Sequence, residues 1–317
     1  MERLTAETLT GIWAGVTMSW DDHFRFDEET YARNIERMIA VKVRGIYTTG
    51  STGEFYAINY DEFCRMVDIQ ADLCGRAGMP LQIGCCSDTT GKTIRLLEYA
   101  ASKKEVGAVQ VNLPYWMELT DQEVLHFFKD LFSACPDIPI VHYNIPRAKR
   151  FLNGSNYRQI LKVTPSLIGV KYTFAGIHFA QLQQDLLLNP GLSYFIGESL
   201  LVSAMLLGAR GCYSSLVATN PNFMLEMYGL AKSGQWRKAT HMQQREANFL
   251  AEVDRFIEER QEGGIDPVAD KGLAVAAGCF LGHQRCRPPY IGWSNETVLA
   301  LREWLKVNFQ EFVFPNR

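Results

Sequence analysis

An excess of charge of either sign is missing from this chain. Its 32 lysines and arginines stand against 35 aspartates and glutamates, a formal charge of −3, which leaves no basic footprint for nucleic acid. No apolar run approaches the ~20 residues of a membrane span, so no membrane partner is expected. The opening MERLTAETLTGIWAG lacks a basic start, an apolar core and a small-residue cleavage site; no secretory signal is read, and a cytoplasmic protein is expected. Eight cysteines, at 64, 74, 85, 86, 135, 212, 279 and 286, contain no C-x-x-C pair, which argues against a zinc ribbon or a redox motif and leaves them as small core residues. G-x-G-x-x-G after the first strand, a glycine-rich loop ending in Lys-Ser/Thr and a serine nucleophile elbow are also absent, so dinucleotide and P-loop chemistry have no support and no cofactor is expected.

Metal ligands are scarce in useful places. Of the six histidines, 23, 126, 142, 178, 241 and 283, only His142 lies at a strand end near the candidate site, and alternation along that strand turns it outward if Tyr143 faces inward. Asp21-Asp22-His23 reads as a polar loop. No metal is expected.

What the chain does have is an ordinary globular composition, 47% apolar and 21% charged, and a repeated alternation of short apolar runs with helical patterns. Strands are expected at 11–17, 45–49, 81–85, 108–113, 139–143, 167–172, 192–196 and 211–214. Between them, stripes such as Tyr31, Ile35, Met38 and Val124, Phe127, Phe128, Leu131 recur at helical spacing. Asp27, Asp61 and Asp121 are read as their N-caps. Eight strand-plus-helix units predict a closed (β/α)8 barrel, an α/β TIM barrel, with catalytic groups at the C-terminal strand ends. An open doubly wound sheet is the alternative. The 317 residues would suggest two domains at about 150 each, but single barrels reach roughly 250. The division expected is a barrel over 1–232 and a C-terminal helical extension over 233–317, with helices at 235–260, 267–280 and 295–312.

Four of these strand ends carry residues awkward for a core. Gly50-Ser51-Thr52-Gly53-Glu54 offers hydroxyls and backbone N–H groups in a turn that suits a carboxylate, or else is an ordinary strand-to-helix turn. Lys171 interrupts an apolar strand. Burial drives an unpaired ammonium to lose its proton, and a neutral amine attacks a ketone to form a Schiff base; the alternative is a lysine that snorkels to water or pairs with Glu198. Tyr143, one strand earlier, is either a proton donor beside that lysine or a core tyrosine with a satisfied hydroxyl. Gly197 allows a ligand close to the backbone, and Glu198 is a loop charge or a lysine partner.

Together GSTGEF at 50–55, YNIP at 143–146 and GVKYT at 169–173 resemble the dihydrodipicolinate synthase/N-acetylneuraminate lyase family. The resemblance implies a (β/α)8 barrel, commonly a homotetramer, here a homotetramer or homodimer, that handles pyruvate or a related 2-oxo acid through a lysine imine. It makes Lys171 the Schiff-base lysine, Tyr143 the proton-transfer residue, and Ser51 and Thr52, with the Gly53 turn, the binders of the substrate carboxylate. Thr52, or else Ser51, would bond Tyr143 in a relay. Gly197 and Tyr213 would line the pocket, and Trp116 stands where a neighbouring subunit's relay tyrosine is usual.

Departures bear on the substrate. Ala148 takes the place of the arginine two residues after the proline in the synthases, and Ser199 and Leu200 replace the acidic pair of the sialic acid lyases. Pro114-Tyr115-Trp116 and Cys286-Arg287-Pro288-Pro289-Tyr290 are similar to segments of hydratase-aldolases, which cleave benzylidenepyruvates. The expected activity is a lyase that cleaves or condenses pyruvate with an aldehyde. A dehydratase or deaminase of a 2-keto-3-deoxy acid through the same imine, a dihydrodipicolinate synthase-like condensation, and a non-catalytic binding homologue are the alternatives.

Overall fold

The computed structural model describes residues 2–173 and 179–315; His178 lies outside them. Eight parallel strands close into one barrel: β1 Gly11–Gly15, β2 Gly45–Thr48, β3 Leu81–Gly84, β4 Ala108–Val111, β5 Ile140–Asn144, β6 Leu167–Tyr172, β7 Ser193–Ile196 and β8 Gly211–Ser214. β8 pairs back onto β1 with Gly11 opposite Gly211, so neither edge is left open. Around them run α1 Glu28–Ala40, α2 Tyr60–Ala77, α3 Thr90–Ala101, α4 Asp121–Ala134, α5 Gly154–Val163, α6 Phe179–Leu188, α7 Leu201–Leu207 and α8 Pro221–Lys232. Among the described residues no helix is long and apolar enough to cross a membrane.

Asp27 caps α1 by accepting the Thr30 N–H, as expected. The other two caps lie slightly upstream. Asn59 and Thr120 start α2 and α4, each in a reciprocal capping box with the glutamate three residues on, Glu62 and Glu123; Asp61 and Asp121 fall inside the first turn.

Strand parity sorts the side chains. Trp13, Tyr47, Val141, Phe195 and Tyr213 fill the barrel as a cluster separate from the layer between strands and helices. Gly45 leaves the space that the Trp13 indole occupies, since a Cβ there would stand 2.6 Å from that ring. His142 turns outward, where it packs against Phe128 and bonds the Tyr157 hydroxyl at 2.8 Å. Burial pushes its imidazole down to about 3, so it stays neutral.

After α8 come three helices, α9 Trp236–Glu258, α10 Val268–Ala277 and α11 Asn295–Asn308. Phe249 of α9 stacks on Phe312 beyond α11 with centroids 3.8 Å apart, tying the chain end to this layer. α9 and α10 lean over the C-terminal strand ends and send Leu250, Val253, Ile257 and Leu273 into the wall of the barrel mouth.

Candidate active site

The register of β5 and β6 sets Tyr143 directly opposite Lys171. Both are inward positions near the C-terminal ends of their strands, and both line a cavity of about 520 Å³ at the barrel mouth. The Lys171 Nζ donates to Tyr47 Oη at 3.2 Å and stands 4.0 Å from the centre of the Tyr143 ring and 5.5 Å from that of Tyr213. Burial works against its charge. The oxygens and ring faces of Tyr143, Tyr47 and Tyr213 outweigh burial, so Lys171 is held above its ordinary value. Of the two sequence-based readings, a lysine stripped of its proton by burial and a lysine with a partner, the contact with Tyr47 favours the second.

Tyr143 Oη meets Ser51 Oγ at 3.1 Å, joining residues 92 apart in the chain. Of the two hydroxyls expected near Tyr143, Ser51 is the one that meets it. Thr52 points elsewhere and donates to Asp270 Oδ2 at 2.6 Å. Gly53 lies outside the cavity wall; its role is steric, because a Cβ there would stand 2.6 Å from the Thr49 backbone nitrogen. The N–H groups of Gly53, Glu54 and Phe55 bond carbonyls within the turn, and the residues of the turn that line the cavity are Ser51 and Thr52.

Gly197 lines the cavity beside open space. Glu198 is not the lysine's partner. Its Oε1 accepts the backbone N–H groups of Ser215 and Leu216 at 3.0 and 3.2 Å and the Ser215 hydroxyl at 3.2 Å, which fixes the turn after β8. Tyr213 lines the cavity from below. Trp116 lies away from the cavity of its own chain, 74% exposed, and its backbone carbonyl receives the Lys149 ammonium at 2.5 Å. Its neighbour Tyr115 instead joins Phe55, Tyr56 and Tyr290 around a second cavity of about 230 Å³, which shares Ser51, Tyr143, Arg147 and Asp266 with the first.

The C-terminal layer supplies residues that local sequence patterns did not single out. Asp266, just before α10, holds Arg147 by two hydrogen bonds of 2.6 and 3.0 Å. The carboxyl of Asp266 is burdened by burial, yet the bonds from Arg147 and Ser51 pull it below its usual range. Asp270, in the first turn of α10, is pushed up to about 6 by burial and by the neighbouring Asp266. On the other face of α10, Lys271 forms a buried ion pair with Glu54. Glu54 also accepts the Trp20 indole N–H and the Arg287 backbone N–H, each at 3.0 Å. The 51–54 turn is thus gripped from both sides by one helix. Gly-Gly at 263–264 marked the approach to α10, but nothing in it signalled that α10 would dock over the barrel mouth.

The Asp21-Asp22-His23 stretch is a polar loop: Asp21 accepts the His23 and Arg25 backbone N–H groups and Asp22 pairs with Arg285. Among the described residues no group of three or more His, Cys, Asp or Glu is placed to hold a metal ion.

The sequence pattern of the Dihydrodipicolinate synthetase family matches residues 8–307. A 4-hydroxy-tetrahydrodipicolinate synthase of Acidovorax sp. (strain JS42) is 28% identical over 303 residues, covering 93% of this chain and 96% of its own. One from Ehrlichia canis (strain Jake) is 27% identical over 69% of this chain and 74% of its own. Among solved structures, the fold is shared by the E. coli K12 prophage protein YagE in complex with pyruvate, TM-score 0.83 at 20% identity over 94% of this chain and 98% of that one. It is shared equally by N-acetylneuraminate lyase from Fusobacterium nucleatum, TM-score 0.82 at 20% identity over 96% and 99%. With the barrel closed and the family pattern running through nearly all of it, the chain belongs to the dihydrodipicolinate synthase/N-acetylneuraminate lyase family of class I aldolase-type lyases and synthases.

Proposed function

We propose that this protein is a Schiff-base lyase that cleaves, or in reverse forms, the C3–C4 bond between pyruvate and an aldehyde. The observation that carries the reading is the placement of Lys171 Nζ on the cavity, 4.0 Å from the ring of a Tyr143 whose hydroxyl is bonded to Ser51. Lys171 gives up its proton and attacks the C2 ketone. Tyr143, exchanging protons with Ser51, serves the resulting carbinolamine, which expels water and leaves a protonated imine. That nitrogen takes the electron pair of the breaking C3–C4 bond while Tyr143 accepts the proton of the C4 hydroxyl. The aldehyde departs, the enamine is protonated at C3, and hydrolysis frees pyruvate and Lys171. Ser51 and Thr52 hold the carboxylate of the 2-oxo acid.

The aldehyde half that fits best is uncharged. Arg147, the arginine beside the mouth, is already committed to Asp266, and the neighbouring Ala148 is buried and carries no charge. Glu198, Asp254, Asp266 and Asp270 face the same cavity and repel a second carboxylate. The adjoining wall of Phe55, Tyr56, Tyr115 and Tyr290 favours an apolar or aromatic aldehyde. The test is a panel of 4-hydroxy-2-oxo acids and benzylidenepyruvates followed by release of pyruvate, with Lys171→Ala alongside. Release by the wild type that vanishes in the variant supports the reading; release that persists in the variant contradicts it.

A further inference from the structure

The carboxylate of Asp270 occupies one of the two hydroxyls that the proposed function assigns to the substrate carboxylate. Its Oδ2 accepts the Thr52 hydroxyl at 2.6 Å, and the side chain lines the same cavity as Lys171 and Tyr143. A hydroxyl has one proton to donate. While Asp270 is ionised, Thr52 cannot give that proton to a 2-oxo acid, and a second carboxylate brought to the same place meets a like charge.

The surroundings deepen this conflict. Asp266, on the segment leading into α10, adds a carboxylate already bound to Arg147. Glu198 approaches from the end of β7 and Asp254 from α9, while Ser215, in the turn after β8, lines the same cavity and gives its hydroxyl proton to Glu198. Lys171 on β6 faces the cavity, and Lys271, next in the chain, is turned away to Glu54. Burial and then Asp266 push the Asp270 carboxyl up to about 6, against the opposing pull of the Thr52 hydrogen bond.

We propose that Asp270 is a positioning residue that couples capture of the substrate carboxylate to uptake of one proton. The coupling rests on the reading of Ser51 and Thr52 as carboxylate binders. A proton from water neutralises Asp270, whose O–H then donates; Thr52 accepts it and turns its own proton to the substrate. Two carboxyl groups share one site by holding one proton between them. Bond changes at the lysine leave this count untouched, because an ammonium and a ketone become a protonated imine and water with no net gain or loss of protons.

The experiment uses the full chain, wild type and Asp270→Asn, with pyruvate as the probe. Borohydride reduction first establishes whether pyruvate is trapped on Lys171 in both. Proton uptake on pyruvate binding is then read in weak buffer with an indicator dye. At pH 7.5 the wild type is expected to take up about one proton per pyruvate and at pH 5 almost none, while Asp270→Asn takes up almost none at either pH. The apparent KM for pyruvate rises toward about tenfold per pH unit above 6 in the wild type and is flat in the variant, because only the protonated fraction binds. Equal uptake by the two proteins, or parallel KM profiles, overturns the coupling. Uptake by the wild type that is the same at pH 5 and pH 7.5 overturns it without recourse to the variant. Absence of trapping on Lys171 in the wild type instead removes the 2-oxo acid reading, and the coupling with it.

Discussion

Lys171 and Tyr143 face each other across adjacent strands, with the lysine nitrogen 4.0 Å from the centre of the tyrosine ring. Neither position is adjustable by itself. Parallel pairing fixes both backbones, and the outward neighbours His142 and Tyr172 are buried in the layer beneath the helices. The pair is therefore set by the barrel, while the groups that complete the site come from the 51–54 turn and from α10.

Lys171→Ala is expected to abolish pyruvate-dependent turnover and leave the barrel folded, because the loss opens a space at the cavity rather than in the packed interior. Circular dichroism and steady-state assays on one preparation check this. Turnover at the wild-type rate would refute the assignment of Lys171.

Tyr143→Phe keeps the ring beside the lysine and removes only the proton carrier. A fall in kcat of about 10²- to 10⁴-fold is expected. Ser51→Ala is expected to cost less, and the double variant little more than Tyr143→Phe, since the two hydroxyls share one 3.1 Å contact. Independent, multiplying losses in the double variant would mean that the relay is not shared.

Much of this was readable in the sequence. The eight apolar windows matched the strands to within a residue or two because strands buried on both faces read as continuous apolar runs. The caps of α2 and α4 were also written in the sequence, as Asn59 with Glu62 and Thr120 with Glu123, but the nearer aspartates drew the assignment. Ser51 and Thr52 could be named but not distinguished, because which hydroxyl meets Tyr143 depends on the turn. Asp266 and Asp270 were out of reach. They follow the last strand by more than fifty residues, and they join the mouth only through the docking of α10.

The Glu54–Lys271 ion pair is buried, with side chains 0% and 2% exposed. Lys271→Met leaves the buried Glu54 carboxylate without its cation, held only by the Trp20 and Arg287 N–H groups, and is expected to cost about 3–5 kcal/mol, read as a lower thermal midpoint. Adding Glu54→Gln keeps an acceptor for the Trp20 and Arg287 N–H groups and should recover part of the loss. A single variant as stable as the wild type would show that the pair does not hold α10 to the turn.

Glu246 on α9 is fully buried, and among the described residues neither carboxyl oxygen has a hydrogen-bond partner. Burial, then Glu198, pushes its carboxyl from 4.5 up to about 8. Between those values the folded chain keeps a proton that the unfolded chain has lost, so this group makes stability fall as pH rises, by up to ~1.4 kcal/mol per pH unit. Glu246→Gln should therefore stabilise the protein more at pH 8 than at pH 5. Urea midpoints at the two values decide it, and an equal effect at both would contradict the burial of a protonated carboxyl.

The most direct measurement is borohydride reduction of the protein with pyruvate, followed by peptide mass mapping. One reduced pyruvate adduct on Lys171, absent when pyruvate or borohydride is omitted and unaffected by a chelator, is the expected result. No adduct on Lys171, together with activity that a chelator abolishes, would contradict the imine mechanism.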